Sequence, residues 1–409
     1  MSLKKVTDGI KYWGQIFLFP IYWVSFITPR SKKIWLFGST FGRRFADNPK
    51  YAYLYMNQFK NEEIRPIWIT HNKDVVKLLN ENKLEAYYYH SLKGIFYCLI
   101  AKVYIFDNYS KDISFWLSGG AVKVNLWHGT ATKKINQDNK FDYFRHPRNK
   151  WERFKTALRR ISDEKPSHYV LATSKNMAKI LVSAFKTYES HMLVVGHPRN
   201  DILFDNGLQD VYTEAELQIR DELKQFREAG KKCIFYTPTF RDSEDIFLKL
   251  MNMEEFNAYL KENNYMLFSK LHIKSKLKQQ FADIKYSNIR YIDANVDPAT
   301  ILEFADMLIV DYSSIYLDYM MLDRPVVAFP FDYEEYVSNS RECYFDYEDY
   351  MPELKVKNMP ELMNGIKQVF EKDEYKERRH IRRDYHFDDI DGNSSERLYV
   401  AVKSILDKK

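Results

Sequence analysis

The stretch "DMLIVDYSSIYLDYMMLDRPVVAF", residues 306–329, contains a strand-like run, a helical pattern and a second strand-like run in that order. The apolar runs DMLIVDY and RPVVAF have the length of strands, and SSIYLDYMML lies between them with a helical pattern. Two strands that are separated by a helix-length segment imply a parallel sheet. The stretch therefore predicts one β-α-β unit of a parallel sheet.

Strand-like runs alternate with helical patterns along most of the remaining chain. The runs before residue 200 are KIWLFGS (33–39), IRPIWIT (64–70), KVYIFDNY (102–109), VKVNLWH (122–128), HYVLATS (168–174) and HMLVVGH (191–197). After a polar, charged stretch at 208–232, the alternation restarts with CIFYTPT (233–239), YMLFSKL (265–271) and IRYID (289–293). Because 409 residues suffice for two separate cores, the sequence predicts two α/β halves that meet near residue 205.

The composition excludes several classes of protein. A formal net charge of +6 is modest for this length, so it gives no sign of nucleic-acid binding. The three cysteines, Cys98, Cys233 and Cys343, are widely spaced, which favours a reducing compartment over a disulfide framework or a zinc site. No GxxxxGK[ST] loop is present, and no clear motif supports a divalent cation such as Mg²⁺.

The N-terminal segment 1–30 is apolar and aromatic, with the sequence IKYWGQIFLFPIYWVSFITPR at 10–30. A signal peptide would need a small-residue cleavage site, and a membrane-spanning helix would not be interrupted by Gln15 and Pro20. A segment lying in the membrane interface, with Trp13, Tyr22 and Trp23 at headgroup level, fits better. The alternative is a buried first helix of the following domain.

A second segment, RHPRNKWERFKTALRRIS at 145–162, has the pattern of a basic amphipathic helix. Trp151, Phe154, Leu158 and Ile161 recur at spacings of three and four, whereas the other positions are mostly Arg and Lys. An ordinary solvated helix face is the alternative. Together with segment 1–30, however, the pattern predicts peripheral binding to an anionic membrane. The residues expected at the membrane are Trp13, Tyr22, Trp23, Trp151, Phe154, Arg159 and Arg160.

Polar and basic side chains follow the predicted strands directly, where ligands of parallel α/β folds bind. These side chains are the cationic, hydroxyl and helix-capping groups that bind phosphate. The Ser313-Ser314 pair also opens a helical pattern, which would place backbone N–H groups there. The strand-end groups are His128-Gly129-Thr130 with Lys133 and Lys134, Gly196 to Asp201, Thr237 to Asp242, Lys270-Leu271-His272, and Asp311 to Ser314.

The chain resembles the CDP-glycerol glycerophosphotransferases that build teichoic acids and some capsules. The resemblance is carried, in order, by LFGSTFGRRFADNPKY (36–51), LWHGT (126–130), GHPRND (196–201), YTPTFRD (236–242), KLH (270–272), VDYSSIYLDYMMLDRPVVAF (310–329) and DGNSSERL (391–398). The resemblance implies a GT-B-like α/β fold, with two Rossmann-like domains whose parallel sheets face a central cleft. Domain 31–204 would face the acceptor and the membrane, and domain 205–409 would bind a CDP-polyol.

The same resemblance implies a reaction and its residues. A polyol phosphate, with glycerol phosphate favoured, would pass from its CDP donor to a hydroxyl of a lipid-linked saccharide or growing chain, releasing CMP. This would take place at the cytoplasmic face of the cell membrane, with His128 and His272 as the catalytic pair. The candidate substrate-binding residues are Trp127, Gly129, Thr130, Lys133, Arg199, Pro238, Thr239, Arg241, Lys270, Asp311, Ser313, Ser314 and Asp318.

Alternatives remain open at several of these positions. Arg199 and Asp201 are alternatively an ion pair that caps the following helix, and Asp311 is alternatively a helix cap. Two departures from the family pattern occur: an alanine follows Thr130, and KLHIKS lacks a His-Pro pair. A nucleotide-sugar glycosyltransferase of the same fold is the alternative function. The motifs do not distinguish glycerol from ribitol, primase from polymerase, or one oligomeric state from another.

Overall fold

The structure is a computed structural model that describes residues 3–163, 167–239, 251–270, 286–339 and 342–408. The chain divides into two compact units. Unit 1 comprises residues 1–129, 134–211 and 388–409, and unit 2 comprises residues 130–133 and 212–387. Each unit has a parallel sheet of its own, so the predicted architecture of two parallel α/β domains is confirmed.

Unit 1 contains a seven-stranded parallel sheet with the order β3-β2-β1-β4-β5-β6-β7. Apolar residues on its strands, including Leu36, Ile67 and Tyr104, are fully buried in one core cluster. Strands that bury both faces in this way are typical of parallel sheets covered by helices. The strands are β1 (Ser31–Phe37), β2 (Arg65–Thr70), β3 (Ala86–Tyr88), β4 (Ala101–Phe106), β5 (Val122–Asn125), β6 (Tyr169–Ala172) and β7 (Met192–Val194).

The helices of unit 1 begin with side-chain caps at several positions. Ser174 Oγ, for example, accepts the N–H of Met177 and so satisfies one of the free donors at the start of a helix. The helices are α1 (Leu3–Gly14), α2 (Phe19–Ile27), α3 (Asp47–Phe59), α4 (Lys73–Glu81), α5 (Leu92–Ile100), α6 (Lys150–Lys155), α7 (Ala157–Asp163), α8 (Lys175–Phe185) and the C-terminal helix Ser394–Asp407. Among the helices that the structure describes, each is too short or too polar to cross a bilayer.

Unit 2 contains a six-stranded parallel sheet with the order β10-β9-β8-β11-β12-β13. Its strands are β8 (Lys232–Tyr236), β9 (Tyr265–Ser269), β10 (Ile289–Tyr291), β11 (Met307–Val310), β12 (Val326–Ala328) and β13 (Leu354–Lys355). Its described helices are α9 (Glu214–Glu228), α10 (Met253–Glu262), α11 (Ile315–Tyr319), α12 (Tyr333–Asn339), α13 (Tyr347–Tyr350), α14 (Met359–Glu371) and α15 (Lys376–His386). Both sheets have the Rossmann strand order, in which strands are added outward from the first strand in both directions.

The structure differs from the sequence prediction in several elements. Strands β3 and β13 were not predicted, because neither lies in a run of aliphatic residues. The predicted amphipathic helix at 145–162 consists of the two shorter helices α6 and α7. The sequence placed residues 388–409 in the C-terminal domain, whereas the structure packs them in unit 1, where Tyr399 lies against Trp35.

Candidate active site

The strand order of each sheet reverses direction at one pair of neighbouring strands, β1 and β4 in unit 1 and β8 and β11 in unit 2. In open parallel sheets the loops beyond the carboxyl ends of such a pair diverge and leave room for a ligand. The loop after β4 begins with Asp107, and the loops after β8 and β11 contain Thr239 and Asp311. Each unit therefore has one reversal point at which a ligand can bind.

His128 follows β5, beside the reversal point of unit 1. Its Nδ1 lies 3.1 Å from the backbone carbonyl oxygen of Asp107. A carbonyl can only accept, so Nδ1 carries the hydrogen, and Nε2 of the neutral ring keeps a lone pair that can take a proton. Part of His128 is exposed to solvent. Burial of the imidazole by the surrounding protein nevertheless lowers the pKa of His128, and the negative charge of Asp47 opposes this effect.

The backbone around His128 is held by amide side chains. Asn125 Oδ1 accepts the N–H of Trp127 at 2.8 Å, and Asn48 Nδ2 donates to the carbonyl oxygen of Trp127 at 3.0 Å. These contacts fix Trp127 at a positive φ of 54°, where its ring packs on His128 with 4.0 Å between the ring centroids. Trp127, predicted to bind substrate, is buried and packs against the imidazole.

Two buried carboxyl groups follow β4, in the segment whose backbone contacts His128. Asp107 and Asp112 accept the backbone N–H groups of Thr40 and Phe41, at 2.9 and 3.0 Å. Burial and then the neighbouring Asp112 carboxylate raise the pKa of Asp107 well above its usual range, and burial raises that of Asp112 to about 6. At neutral pH the favoured state of the pair is therefore the one in which the two carboxyl groups share one proton.

The alternative interpretation of Arg199 and Asp201 as an ion pair with each other does not hold among the described residues. Arg199 Nη1 lies 2.9 Å from Asp47 Oδ1 and donates to the carbonyl oxygen of His128, also at 2.9 Å. Asp201 instead accepts the N–H groups of Ser394 and Ser395, at 2.9 and 2.7 Å, and so caps the C-terminal helix. Arg199 therefore contacts the loop that carries His128.

The reversal point of unit 2 is organised by Asp311. Its carboxylate accepts the backbone N–H of Thr239, at 3.0 Å for Oδ1 and 2.9 Å for Oδ2, and the Thr239 hydroxyl at 2.7 Å. The charge of Asp311 is thus used within the protein to join the loop after β8 to the loop after β11. Ser313 and Ser314 follow, both partly exposed, ahead of the five-residue helix α11. This helix is much shorter than the helical pattern predicted from the sequence.

The remaining substrate-binding candidates of unit 2 lie in different surroundings. The Lys133 ammonium contacts the Tyr336 hydroxyl, and Lys270 Nζ donates to the carbonyl oxygen of Ala294 at 2.9 Å. Thr130 and Asp318 are buried, and Pro238 is partly exposed. Gly129, at the end of the first segment of unit 1, is also partly exposed. Arg241 and His272 lie outside the described residues.

Of the residues predicted to lie at the membrane, Tyr22 is buried and the others are exposed or partly exposed. Trp13 stacks on Phe154 with 4.6 Å between ring centroids, and Trp23, Trp151 and Arg159 are exposed. The prediction for Tyr22 is wrong: it is 4% exposed and stacks on Phe115 at 4.7 Å. Tyr22 and Ser25 are the buried residues of α2, and their spacing of three places them on one face of the helix. Arg160 is partly exposed and donates to the carbonyl oxygen of Arg153.

Several residues of this arrangement were not identified from the sequence. Asn125, Asp107 and Asp112 act through buried contacts, and their positions lay inside or just after predicted strands. The available signal was the polar pair Asp107-Asn108 at the end of an apolar run, because buried polar residues at a strand end need partners. Within the described ranges, no group of three or more His, Cys, Asp and Glu residues is placed to hold a metal ion.

Unit 1 has a neutral imidazole after a strand, and unit 2 has hydroxyl groups in the loops of its sheet. α/β transferases that act on phosphate-bearing substrates use such groups. The sequence profile described as "CDP-Glycerol:Poly(glycerophosphate) glycerophosphotransferase" matches residues 20–404. The chain belongs to this family, as the motifs of its sequence indicated.

Named relatives agree with this family. The chain is 26% identical to a teichoic acid poly(glycerol phosphate) polymerase of Bacillus spizizenii, over 83% of this chain and 84% of the relative. It is also 26% identical to a teichoic acid glycerol-phosphate transferase of Staphylococcus aureus, over 91% and 93%. The solved structure of the wall teichoic acid polymerase TagF has a TM-score of 0.73 at 22% identity and covers 100% of this chain and 99% of that one. This likeness supports the fold.

Proposed function

We propose that this enzyme transfers glycerol phosphate from CDP-glycerol to a hydroxyl group of a lipid-linked saccharide or of a growing teichoic-acid chain. The acceptor oxygen attacks the β-phosphorus of the donor, and the bond between that phosphorus and the oxygen of CMP breaks. The hydroxyl proton passes to a base, and CMP leaves with the bonding electrons. The family of the chain and the names of its relatives support this donor and this reaction.

The observation that carries the proposal is the state of His128. Its Nδ1–H is engaged by the Asp107 carbonyl, and its pKa is lowered by the surrounding protein. A neutral imidazole with Nε2 available is the form that a general base requires at neutral pH. We assign to His128 the removal of the proton from the acceptor hydroxyl.

The donor phosphates are assigned to unit 2. Ser313 and Ser314 offer hydroxyl and backbone N–H groups at the reversal point of its sheet, where phosphate is commonly bound, and Thr239, whose N–H and hydroxyl donate to Asp311, lies in the neighbouring loop. His272 and Arg241 follow the same sheet in sequence, and their proposed role is to stabilise the charge that develops on the departing CMP. Asp311 then serves to position Thr239, since its carboxylate is already engaged by that residue.

The test is CMP release from CDP-glycerol and from CDP-ribitol with a lipid-linked saccharide acceptor. His128→Ala and His272→Ala should each lower the rate by about 10²- to 10⁴-fold, the usual contribution of a general acid or base. His168→Ala is the matched control, because this exposed histidine precedes β6 and so lies at the amino-terminal ends of the strands, whereas His128 follows the carboxyl end of β5. Turnover of a nucleotide sugar in place of both CDP donors would identify a glycosyltransferase instead.

We further propose that the enzyme works as a peripheral protein on an anionic membrane, at its cytoplasmic face. Phe17, Trp23 and Ile27, within eleven residues of the chain, are 83%, 66% and 82% exposed, and large apolar side chains exposed together are typical of an interaction site. Trp23→Ser should weaken co-sedimentation with vesicles that contain anionic lipid. Tyr188→Ser, which removes an aromatic ring of similar exposure elsewhere in unit 1, should leave co-sedimentation unchanged. Equal co-sedimentation of both variants with the vesicles would contradict the proposal that this surface binds the membrane.

A further inference from the structure

The loop after β1 has an unusual backbone. Thr40, Phe41 and Gly42 have successive positive φ values of 50°, 55° and 75°. For residues other than glycine this conformation costs on the order of 1 kcal/mol or more, and it persists only where the surroundings enforce it. Gly42 is required at its position, since a Cβ there would lie 2.6 Å from the ring of His71.

The surroundings of the loop do enforce this conformation. The N–H groups of Thr40 and Phe41 are bound by the two buried carboxyl groups of Asp107 and Asp112. The carbonyl oxygen of Gly42 accepts the N–H of His71 and the hydroxyl of Thr70, each at 2.7 Å. The loop is therefore fixed at the reversal point of the sheet, where a ligand of this fold is expected.

The fixed loop presents two side chains to solvent. Phe41 is 40% exposed, and Arg43 is exposed as well. Within the part of the chain that the structure describes, the Arg43 guanidinium has no hydrogen-bond or ion-pair partner. An unpaired guanidinium on a rigid loop needs little reorganisation to bind a phosphate through two parallel hydrogen bonds.

The loop that carries Phe41 and Arg43 is connected by contacts to His128 and to helix α7. On one side, Asp107 contacts both the loop, through Thr40 N, and His128, through its carbonyl oxygen. On the other side, Lys111 lies 5.2 Å from the centroid of the Phe41 ring and pairs with Asp163 of α7 at 2.8 Å.

The connection continues from α7 to the N-terminal helix. Asp163 also pairs with Arg159 at 3.2 Å, and the Arg159 N–H donates to the Tyr12 hydroxyl at 3.1 Å. Tyr12 is next to Trp13, which stacks on Phe154. These contacts join the surface around Trp13 and Phe154 to the Phe41 ring, and Asp107 joins the loop of Phe41 to His128.

We propose that Phe41 and Arg43 form a binding subsite for a phosphate group of the acceptor, with Arg43 on the phosphate and Phe41 on the adjoining carbon skeleton. This inference rests on the proposed function, because it assigns the acceptor of that reaction. The phosphate belongs either to the lipid-linked saccharide phosphate itself or to a glycerol phosphate unit already attached to it. Arg43 offers the same contact to both.

The experiment measures KM for the acceptor, KM for CDP-glycerol and kcat with two acceptors, a lipid-linked saccharide phosphate and the same molecule extended by one glycerol phosphate. Arg43→Gln should raise the acceptor KM about tenfold to a hundredfold, as expected for a lost hydrogen bond to a charged group. Phe41→Leu should raise it by a smaller factor. Arg65→Gln is the control, because it removes the same charge at the opposite end of β2.

The outcomes separate the subsite from the reaction. If Arg43→Gln raises the acceptor KM for both acceptors, Arg43 binds the lipid-linked phosphate. If it raises the KM of the extended acceptor alone, Arg43 binds the terminal glycerol phosphate. An unchanged acceptor KM, a rise in the donor KM alone, or an equal effect of Arg65→Gln overturns the subsite. If wild-type enzyme releases no CMP with either acceptor, the proposed function itself fails.

Discussion

The assignment of His128 as the base predicts opposite effects for two charges beside it. Asp47 raises the pKa of His128 and Arg199 lowers it, and the two side chains are paired with each other at 2.9 Å. A base must be unprotonated, so activity is lost as the pH falls through the His128 pKa. Asp47→Asn should therefore move this acidic limb to lower pH, and Arg199→Gln should move it to higher pH.

The size of these shifts follows from the geometry. Arg199 Nη1 lies 2.9 Å from the backbone oxygen of His128, so the guanidinium charge is a near neighbour of the imidazole. A unit charge at about 7 Å contributes about 1.2 kcal/mol at an effective dielectric constant of about 40. Since about 1.4 kcal/mol corresponds to one pKa unit, we expect shifts of about half a unit to one unit.

The assay is the pH dependence of kcat/KM for CMP release, which reports the ionisations of the free enzyme. In wild-type enzyme the midpoint of the acidic limb should lie below the ordinary histidine value of about 6.5, as the surrounding protein requires. Thermal unfolding of both variants controls for stability. Shifts of Asp47→Asn and Arg199→Gln in the same direction, or no shift in either, would refute the titration of His128 as the source of the limb.

Three further predictions concern stability. Asp201→Ala removes the acceptor of two buried N–H groups and should lower the free energy of unfolding by about 2–4 kcal/mol in urea titration. Burial lowers the pKa of His386 to about 3, so the native state should lose about 2 kcal/mol as the pH falls from 6.5 to 5. His386→Phe should abolish this loss in thermal scans across that range. Asp107→Asn imitates a protonated carboxyl and should cost less than about 1 kcal/mol, whereas Asp107→Ala should cost about 2–4 kcal/mol, as measured by chemical denaturation.

Long apolar runs made the sheets predictable from the sequence. Eleven strands produce runs of four or more apolar residues or end in a clear polar group, whereas neither β3 nor β13 lies in a run of aliphatic residues. Tyr22 shows the limit of this reasoning, because an aromatic residue in an apolar segment suits a membrane surface and a core equally well. Its contact with Phe115, 93 positions away in sequence, decides between them.

The candidate site was predictable as a set of strand-end residues but not as a network. The motif that contains Arg199 indicated a phosphate ligand, yet its contacts are with Asp47 and the backbone of His128. Asp311 likewise binds Thr239. Side chains that hold a loop and side chains that bind a ligand have the same chemistry, so only the three-dimensional contacts distinguish them.

The distribution of backbone strain supports a fixed base in unit 1. Nine residues other than glycine have positive φ in the described part of the chain, and four of them, Thr40, Phe41, Asp47 and Trp127, lie next to His128 in sequence or bind Asp107, Asp112 or Arg199. Each is held by a buried or charged side chain, which offsets the cost of the conformation. Proton transfer depends steeply on the distance between donor and acceptor, and a base on a mobile loop would reach its geometry only part of the time. The strain around His128 is therefore the structural cost of holding one imidazole in place for the attack.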